Sequence, residues 1–198
     1  IRRLNMSSNY LIQAVVFLVQ LSFDIVILAL LLRYLLAKVK TNSYNPLSEV
    51  IMKLTNPLLV PLRRVMPGYL GIDWSSVIAL LLIQSTKLTI IQVIMKGGLL
   101  AIDGLVILTV ANLLEMVLYI YMFTIIIQVI ISWINPGVYS PVTTIMQQLT
   151  EPILRPARKI TRFGGSLDFS PLLVLVIIQL LMILIISPLM DIGYRLSS

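Results

Sequence analysis

The sequence predicts an all-α membrane protein with four transmembrane helices in two parallel tandem repeats, each with a short amphipathic interfacial helix and a Pro-kinked basic loop. Three observations carry that prediction. The 198 residues are 59% hydrophobic and only 12% charged, with a mean hydropathy of +1.01, whereas a soluble domain carries about 25% charged residues. Four apolar stretches, residues 10–36, 74–95, 99–134 and 169–190, each reach the roughly 20 residues that cross a hydrocarbon core. A shift of 95 positions then aligns residues 54–84 with 149–179 without a gap. Leu and Ile coincidences mean little in so apolar a chain. The informative matches are Thr55/Thr150, Pro57/Pro152, Pro61/Pro156, Arg63/Arg158, Asp73/Asp168, Ser75/Ser170 and Gln84/Gln179.

At the N-terminus, Met6 followed by Ser7-Ser8-Asn9 reads as a natural start, so residues 1–5 are expected to be an upstream, non-native addition. The first repeat is read as residues 6–95. Its first span, about 10–36, is far longer than a signal-peptide h-region of about 7–15 residues and lacks a small-residue cleavage site, so it is expected to stay as an anchor. It carries Gln20, Asp24 and Arg33. Ionisable groups at membrane depth are costly enough to mark a functional site, which makes Asp24 a candidate. Arg33 is expected to snorkel its guanidinium to the membrane surface.

The first loop, 37–73, opens with an amphipathic helix. Asn45 caps Pro46 at the first helical position, and Leu47, Val50, Ile51 and Leu54 follow at helical spacing. That stripe lies either in the membrane interface or against the protein's own spans. Pro57-x-x-x-Pro61-x-Arg63-Arg64 comes next. Two prolines four apart remove backbone donors and rule out a regular helix through the pair, so a kink is expected. The kink would present the basic residues at phosphate level, where each contributes about 1 kcal/mol of attraction to anionic lipid. Asp73, with Ser75 two residues on, precedes the second span at about 74–95. It is read as an N-cap and a charge clamp on the basic segment, with substrate binding as the alternative. Gln84 lies on the same helical face about 16 Å deeper.

Residues 96–104 are read as a linker and 105–198 as the second repeat, with spans at about 105–134 and 169–190 around a loop at 135–168. The apolar run through 97–134 is long for one span and short for two. The repeat register favours one, and a fifth span is the alternative. The second loop repeats the stripe with Val142, Ile145, Met146 and Leu149, then Pro152-x-x-Arg155-Pro156-x-Arg158-Lys159, then Asp168, Ser170 and Pro171. Gln179 answers Gln84. The two amides are expected either to hydrogen-bond between repeats or to line a polar pathway. Glu115 aligns with Gln20 and not with Asp24, which argues against a symmetric site. Lys87 is a counter-charge for one of the two acids.

Charge orients the chain. Lys38, Lys40, Lys53, Arg63 and Arg64 lie in the first loop and Arg155, Arg158, Lys159 and Arg162 in the second, against Arg2, Arg3, Lys96, Arg195 and at most Lys87 opposite. The excess of Lys and Arg predicts cytoplasmic loops and outside termini; five spans would separate the loops. The formal net charge of +7 therefore reads as membrane topology. Nucleic acid is not an expected partner, because no glycine-rich or aromatic-interleaved basic tract is present. The absence of Cys and His excludes disulfides, zinc-thiolate centres, histidine bases and conventional haem ligation within the chain. No nucleophile with a base and no metal-ligand spacing occurs, so no catalytic residue, cofactor or metal site is predicted.

Particular strings resemble the YggT family of small membrane proteins with one or two copies of this repeat. They are Tyr44-Asn45-Pro46, the run from Thr55-Asn56-Pro57 through Arg63-Arg64 to Pro67, and Gly71-Ile72-Asp73 in the first half. In the second half they are Ser132-Trp133, Thr150-Glu151-Pro152-Ile153-Leu154-Arg155-Pro156 and the run from Gly164-Gly165 to Ser170-Pro171. Arg162 stands where a proline usually ends the second basic segment, and Gln128 where an arginine often precedes Ser-Trp. The resemblance implies no enzymatic activity. It implies a link with osmotic or salt tolerance in bacteria, and among plastid relatives with membrane-complex or cytochrome biogenesis and nucleoid distribution. The combined expectation is a non-enzymatic scaffold or assembly factor of the bacterial inner membrane, associated with osmotic or envelope stress. Arg63, Arg64, Arg155, Arg158 and Lys159 would meet anionic headgroups or a membrane partner, which is another protein or a further copy. The rival expectation is an ion or small-osmolyte transporter or channel subunit.

Overall fold

The computed structural model describes residues 2–39, 45–65, 73–135, 137, 140–161 and 168–197, with side chains from residue 10 onward apart from that of residue 65. Among the described residues there is no strand. The helices are α1 (Arg2–Lys38), α2 (Pro46–Val65), α3 (Trp74–Lys96), α4 (Ile102–Ile134), α5 (Pro141–Thr161), α6 (Ser170–Leu181) and α7 (Ser187–Leu196), with a π-helical turn at Met182–Ile186 joining the last two. Four spans are long and apolar enough to cross a membrane: Tyr10–Lys38, Trp74–Lys96, Ile102–Ile134 and Ser170–Leu196. The protein is a multi-pass membrane protein.

The ambiguous run resolves as one helix. From Leu105 to Ile134 it contains neither Gly nor Pro, so nothing interrupts the i→i−4 ladder, and at 1.5 Å per residue α4 is about 50 Å long. That exceeds the hydrocarbon thickness, so one helix of this length tilts or projects beyond it. The linker is shorter than the expected 96–104. α3 ends at Lys96 because Gly97 takes the left-handed conformation (φ 72°) and donates its N–H to the Val93 carbonyl. α4 has already begun at Ile102. Gly104 is therefore helical, and it has a packing role. A Cβ there would meet Ser197 Cβ at 2.6 Å and the Gly193 carbonyl oxygen at 2.7 Å, and a Cβ on Gly193 would meet Leu108 at 2.7 Å. The two backbones approach too closely for side chains, the usual contact of small residues between helices in lipid.

The last span also runs further than residue 190. Pro188 has no N–H and would clash with the carbonyl four residues back. The turn before it widens, with the Ser187 N–H reaching Met182 O and the Ser187 hydroxyl donating to the same oxygen at 3.0 Å. A π-turn is a common way to carry such a defect without ending the helix.

Packing follows the repeats. One cluster joins Ile27, Leu30, Leu31 and Leu35 of α1 to Leu59, Ala79, Leu80, Ile120 and Leu149 of α2, α3, α4 and α5. A second joins Ile125, Leu154, Ala157, Val174, Ile178 and Met182 of α4, α5 and the last span. Lipid tails are as apolar as these side chains, so close van der Waals fit holds the spans together. The outward faces, such as Leu11, Phe17, Leu18 and Ile25 on α1, are exposed apolar surface for lipid. A third cluster, Leu36, Ile51 and Ile145, brings α2 against α5, and Asn45 Nδ2 donates to the Pro141 carbonyl at 2.7 Å. Both loop helices therefore lie side by side at one end of the bundle.

Candidate functional site

The paired helices α2 and α5 form the first candidate. Each runs through both of its prolines, Pro57 and Pro61 in α2 and Pro152 and Pro156 in α5. The sequence predicted a break into a helix and a kinked basic loop; the structure has one continuous helix in each repeat. The reason is placement. Pro57 and Pro61 leave the carbonyls of Lys53 and Pro57 without their i+4 donors, and Lys53, Pro57 and Pro61 all lie on the exposed side. Unpaired carbonyls there can accept from water or headgroups, so the helix tolerates them. Pro152 and Pro156 are exposed in the same way.

The apolar stripe divides between the two expected surfaces. In α2, Ile51, Thr55 and Leu59 are buried against the spans, whereas Leu47, Val50, Leu54 and Leu58 face outward. In α5, Ile145, Leu149 and Leu154 are buried while Val142 and Ile160 are exposed. Asn45 performs its capping role, its Oδ1 accepting from the Leu47 N–H at 3.0 Å.

Arg33 does not snorkel. It is 8% exposed and turns into α2, where its Nη1 donates to Thr55 Oγ1 at 2.6 Å and to Asn56 Oδ1 at 2.8 Å. The Thr55 hydroxyl donates onward to the Ile51 carbonyl at 2.7 Å. Snorkelling is the solution when no acceptor is near; here the loop helix lies over the guanidinium and supplies three, the Met52 carbonyl at 3.4 Å being the longest. The second repeat has a neutral joint at the same place with the direction reversed, the Thr150 hydroxyl donating to Gln128 Oε1 at 2.9 Å. Sequence reasoning missed this anchor, although Thr55/Thr150 was among the repeated matches and the same register pairs residue 33 with 128.

Asp73 accepts from the Ser76 backbone N–H and hydroxyl at the start of α3 and from Arg63 Nη2 in an ion pair. Burial alone would raise its pKa, but the Arg63 and Ser76 hydrogen bonds and the Arg63 charge outweigh it and hold the carboxyl below its ordinary value. Asp168 accepts from the Ser170 N–H at 2.9 Å and from Arg158 Nε at 3.1 Å. Its burial likewise acts upward and is outweighed by Ser170 and Arg158, so this carboxyl is also lowered. Arg158 additionally pairs with Glu151 at 2.9 Å, and Lys53 with Glu49 at 2.7 Å. Ser75 and Ser170 are fully buried at the two helix starts. Arg63 and Arg158 are thus committed to the clamps, whereas Arg64, Arg155 and Lys159 are exposed and make no ion pair among the described residues. Lys40 and Arg162 of the basic loops, and Gly71, Ile72 and Gly164 to Leu167 of the quoted motifs, lie outside the described residues.

The second candidate lies near the middle of the spans. Lys87 Nζ pairs with Asp24 Oδ1 at 2.7 Å, which settles which acid it neutralises. Lys87 is 8% exposed. The Asp24 side chain is 40% exposed. These two residues, with Gln84, Asn112, Glu115, Met116 and Tyr119, line a cavity of about 250 Å³ between α1, α3 and α4. Gln84 is 1% exposed and its Nε2 has no partner. The expected amide pair between repeats does not form, because Gln179 faces outward from α6. Its register places it on the lipid side of a span whose counterpart, α3, is covered by α1 and α4. No group of three His, Cys, Asp or Glu side chains able to hold a metal ion occurs among the described residues.

A family model described as CCB3/YggT matches the chain twice, over residues 12–94 and 107–189, the second match displaced by the 95 positions of the internal repeat. The chain is 37% identical to an uncharacterised protein of Pseudomonas aeruginosa over 175 residues, 88% of this chain and 89% of that one. It is 30% identical over 164 residues to an uncharacterised Vibrio alginolyticus protein encoded in the proC 3' region, covering 82% and 88% of the two chains. It is 29% identical over 166 residues to the uncharacterised protein YggT of Escherichia coli K12, covering 83% and 85%. No solved structure matches the chain.

Proposed function

The chain belongs to the CCB3/YggT family, and from that premise we propose that it is a non-enzymatic scaffold or assembly factor of the bacterial inner membrane. On this reading its paired loop helices face the cytoplasm, both termini lie outside, and the helices engage anionic headgroups and hold a membrane partner in the response to osmotic or envelope stress. One observation carries the reading. α2 and α5 touch at one end of the bundle and combine outward apolar side chains with the exposed cations Arg64, Arg155 and Lys159. An amphipathic helix with that composition binds through buried apolar area plus attraction to anionic lipid. Arg63 and Arg158 serve the same surface indirectly, by fixing the ends of α2 and α5 to the following spans.

The test compares thermal unfolding of the full-length protein in detergent with added phosphatidylglycerol or phosphatidylcholine. The wild type should be stabilised more by the anionic lipid, and Arg64→Gln/Arg155→Gln/Lys159→Gln should lose that preference while keeping its unfolding temperature without lipid. An unchanged preference in the triple variant would refute the headgroup reading. A second reading, an ion or small-osmolyte transporter or channel subunit, draws on the polar cavity between the spans. It requires flux in liposomes that Asp24→Asn abolishes.

A further inference from the structure

The cavity between α1, α3 and α4 carries a ligand argument of its own, independent of the headgroup reading. Its lining holds two carboxylates, Asp24 and Glu115, and one ammonium, Lys87. Lys87 is taken by Asp24 at 2.7 Å, so among the described residues Glu115 has no ion-pair or hydrogen-bond partner. All three residues lie near the middle of their helices, in Tyr10–Lys38, Trp74–Lys96 and Ile102–Ile134. A carboxylate there is costly unless something offsets its charge. With Glu115 ionised, the site as built is one positive charge short, and a bound cation competes with a proton for that carboxylate.

The remaining polar atoms show what kind of group would supply that charge. Asn112 gives its Nδ2 to the Leu108 carbonyl at 2.7 Å, which leaves its Oδ1 as an acceptor one helical turn from Glu115. Asp24 keeps a second carboxylate oxygen beyond the one that Lys87 holds. Opposite them, Gln84 lines the cavity at 1% exposure and its buried Nε2 is an unpartnered donor, and a buried amide donor needs an oxygen to meet. A bare ion would satisfy the acceptors and leave that donor orphaned. An ion that keeps part of its water shell satisfies both, because its water accepts from Gln84 once that buried amide turns to the cavity. A volume of about 250 Å³ has room for an ion and several waters at ~30 Å³ each, and it lies below the 300–1,000 Å³ typical of drug-sized ligands. Oxygen donors of this kind suit hard cations, and two carboxylates with one already paired favour a single charge.

We propose that Glu115, with Asn112 and Asp24, binds a small, partly hydrated monovalent cation inside the membrane, the water shell being anchored by Gln84. Full-length protein in neutral detergent is titrated with potassium, sodium or ammonium chloride at constant ionic strength, with N-methylglucamine chloride as the bulky balance, and thermal unfolding is followed. At least one small cation should raise the unfolding temperature saturably. Glu115→Gln should abolish the saturable part, and Asn112→Leu should raise the half-saturating concentration tenfold or more. Arg64→Gln/Arg155→Gln/Lys159→Gln, which alters only the surface cations, should leave it unchanged. Identical unfolding temperatures in all four salts would overturn the proposal, as would a full response in Glu115→Gln. If Glu115→Gln does not fold, the Asn112→Leu titration decides alone, an unchanged half-saturating concentration counting against the site.

Discussion

Replacing Arg33 tests how the loop helices are held to the spans, and the two repeats supply the control. Arg33→Ala removes two short charge-assisted hydrogen bonds, to Thr55 and Asn56, each contributing about 1.5–3 kcal/mol when made to a charged group. The groups left behind do not become orphans. Thr55 still donates to Ile51 O, and Asn56 is exposed. Relief from burying a cation offsets part of the loss, so the net cost should be about 2–4 kcal/mol. For a chain of this length, where 1 kcal/mol shifts the midpoint by about 2–4 °C, the unfolding temperature in detergent should fall by about 4–16 °C. Arg33→Gln should cost about 1 kcal/mol or less, because Gln128 already joins the matching Thr150, there by accepting from the threonine hydroxyl. Thr55→Val should cost about 1.5–3 kcal/mol, since it leaves a buried guanidinium one acceptor short. A Gln variant as damaged as the Ala variant would refute the argument, since it would mean that the charge and not the hydrogen-bonded joint holds α2. A neutral Thr55→Val would refute it equally.

The helix crossing at Gly104 should tolerate no side chain: Gly104→Leu places a Cβ 2.6 Å from Ser197 Cβ, and size-exclusion profiles and unfolding should show loss of the α4–α7 contact at a cost of about 3 kcal/mol or more. Lys87→Met leaves Asp24 without its counter-charge and should cost about 1–3 kcal/mol, less than for a fully buried pair because Asp24 is partly exposed; Asp24→Asn/Lys87→Gln should recover most of it in the same unfolding assay. Asp73 and Asp168 have pKa values lowered from 3.8, so their stabilisation is complete above that value and is lost as pH falls through the lowered ones; unfolding temperature should decline below about pH 4, with a shallower slope in Asp73→Asn/Asp168→Asn. Pro57→Ala restores a donor for the Lys53 carbonyl in a helix that is already continuous, and should stabilise by up to about 3 kcal/mol, measured by the same unfolding; a destabilised variant would mean that the proline shapes the helix rather than merely being tolerated in it.

Composition and the repeat were enough to read the four spans, the amphipathic loop helices and the aspartates that start α3 and α6, because each depends on local chemistry. Hydropathy reports span length, a residue shift reports duplication, and an acid before an apolar run reports a carboxylate on the first helical N–H groups, as the N-cap itself at Asp73 and one residue ahead of the N-cap Phe169 at Asp168. The contacts that depend on what lies across the fold were not legible. Snorkelling is the right default for Arg33 beside a lipid surface, and it fails only because α2 lies over the guanidinium. The prolines forbid a regular ladder, yet Lys53 and Pro57, whose carbonyls α2 leaves unpaired, lie on its exposed side, a condition set by how α2 packs and not by its spacing. Gln84 and Gln179 are equivalent in sequence but differ in exposure, because only the first repeat's span has a neighbour over that face.

That last difference separates two kinds of site in one duplicated scaffold. At the loop end two contacts recur in both repeats: Arg63–Asp73 with Arg158–Asp168, and Arg33–Thr55 with Gln128–Thr150. At mid-span the register breaks. The positions matching Asp24, Lys87, Asn112 and Glu115 are Tyr119, Met182, Phe17 and Gln20, so no second copy of the charged cavity can exist. Its lining comes from α1 and α3 of the first repeat and α4 of the second, which makes it a product of the two repeats together. Ionisable side chains at that depth oppose insertion and stability, and the uncharged partners in the matching positions show that the repeat is built without them. Their cost therefore needs a compensating role, and the Asp24–Lys87 pair accounts for only two of the three charges. Glu115 is the residue on which that reasoning turns: if Glu115→Gln leaves every property of the protein unchanged, the cavity is a packing defect and the function lies at the loop end alone.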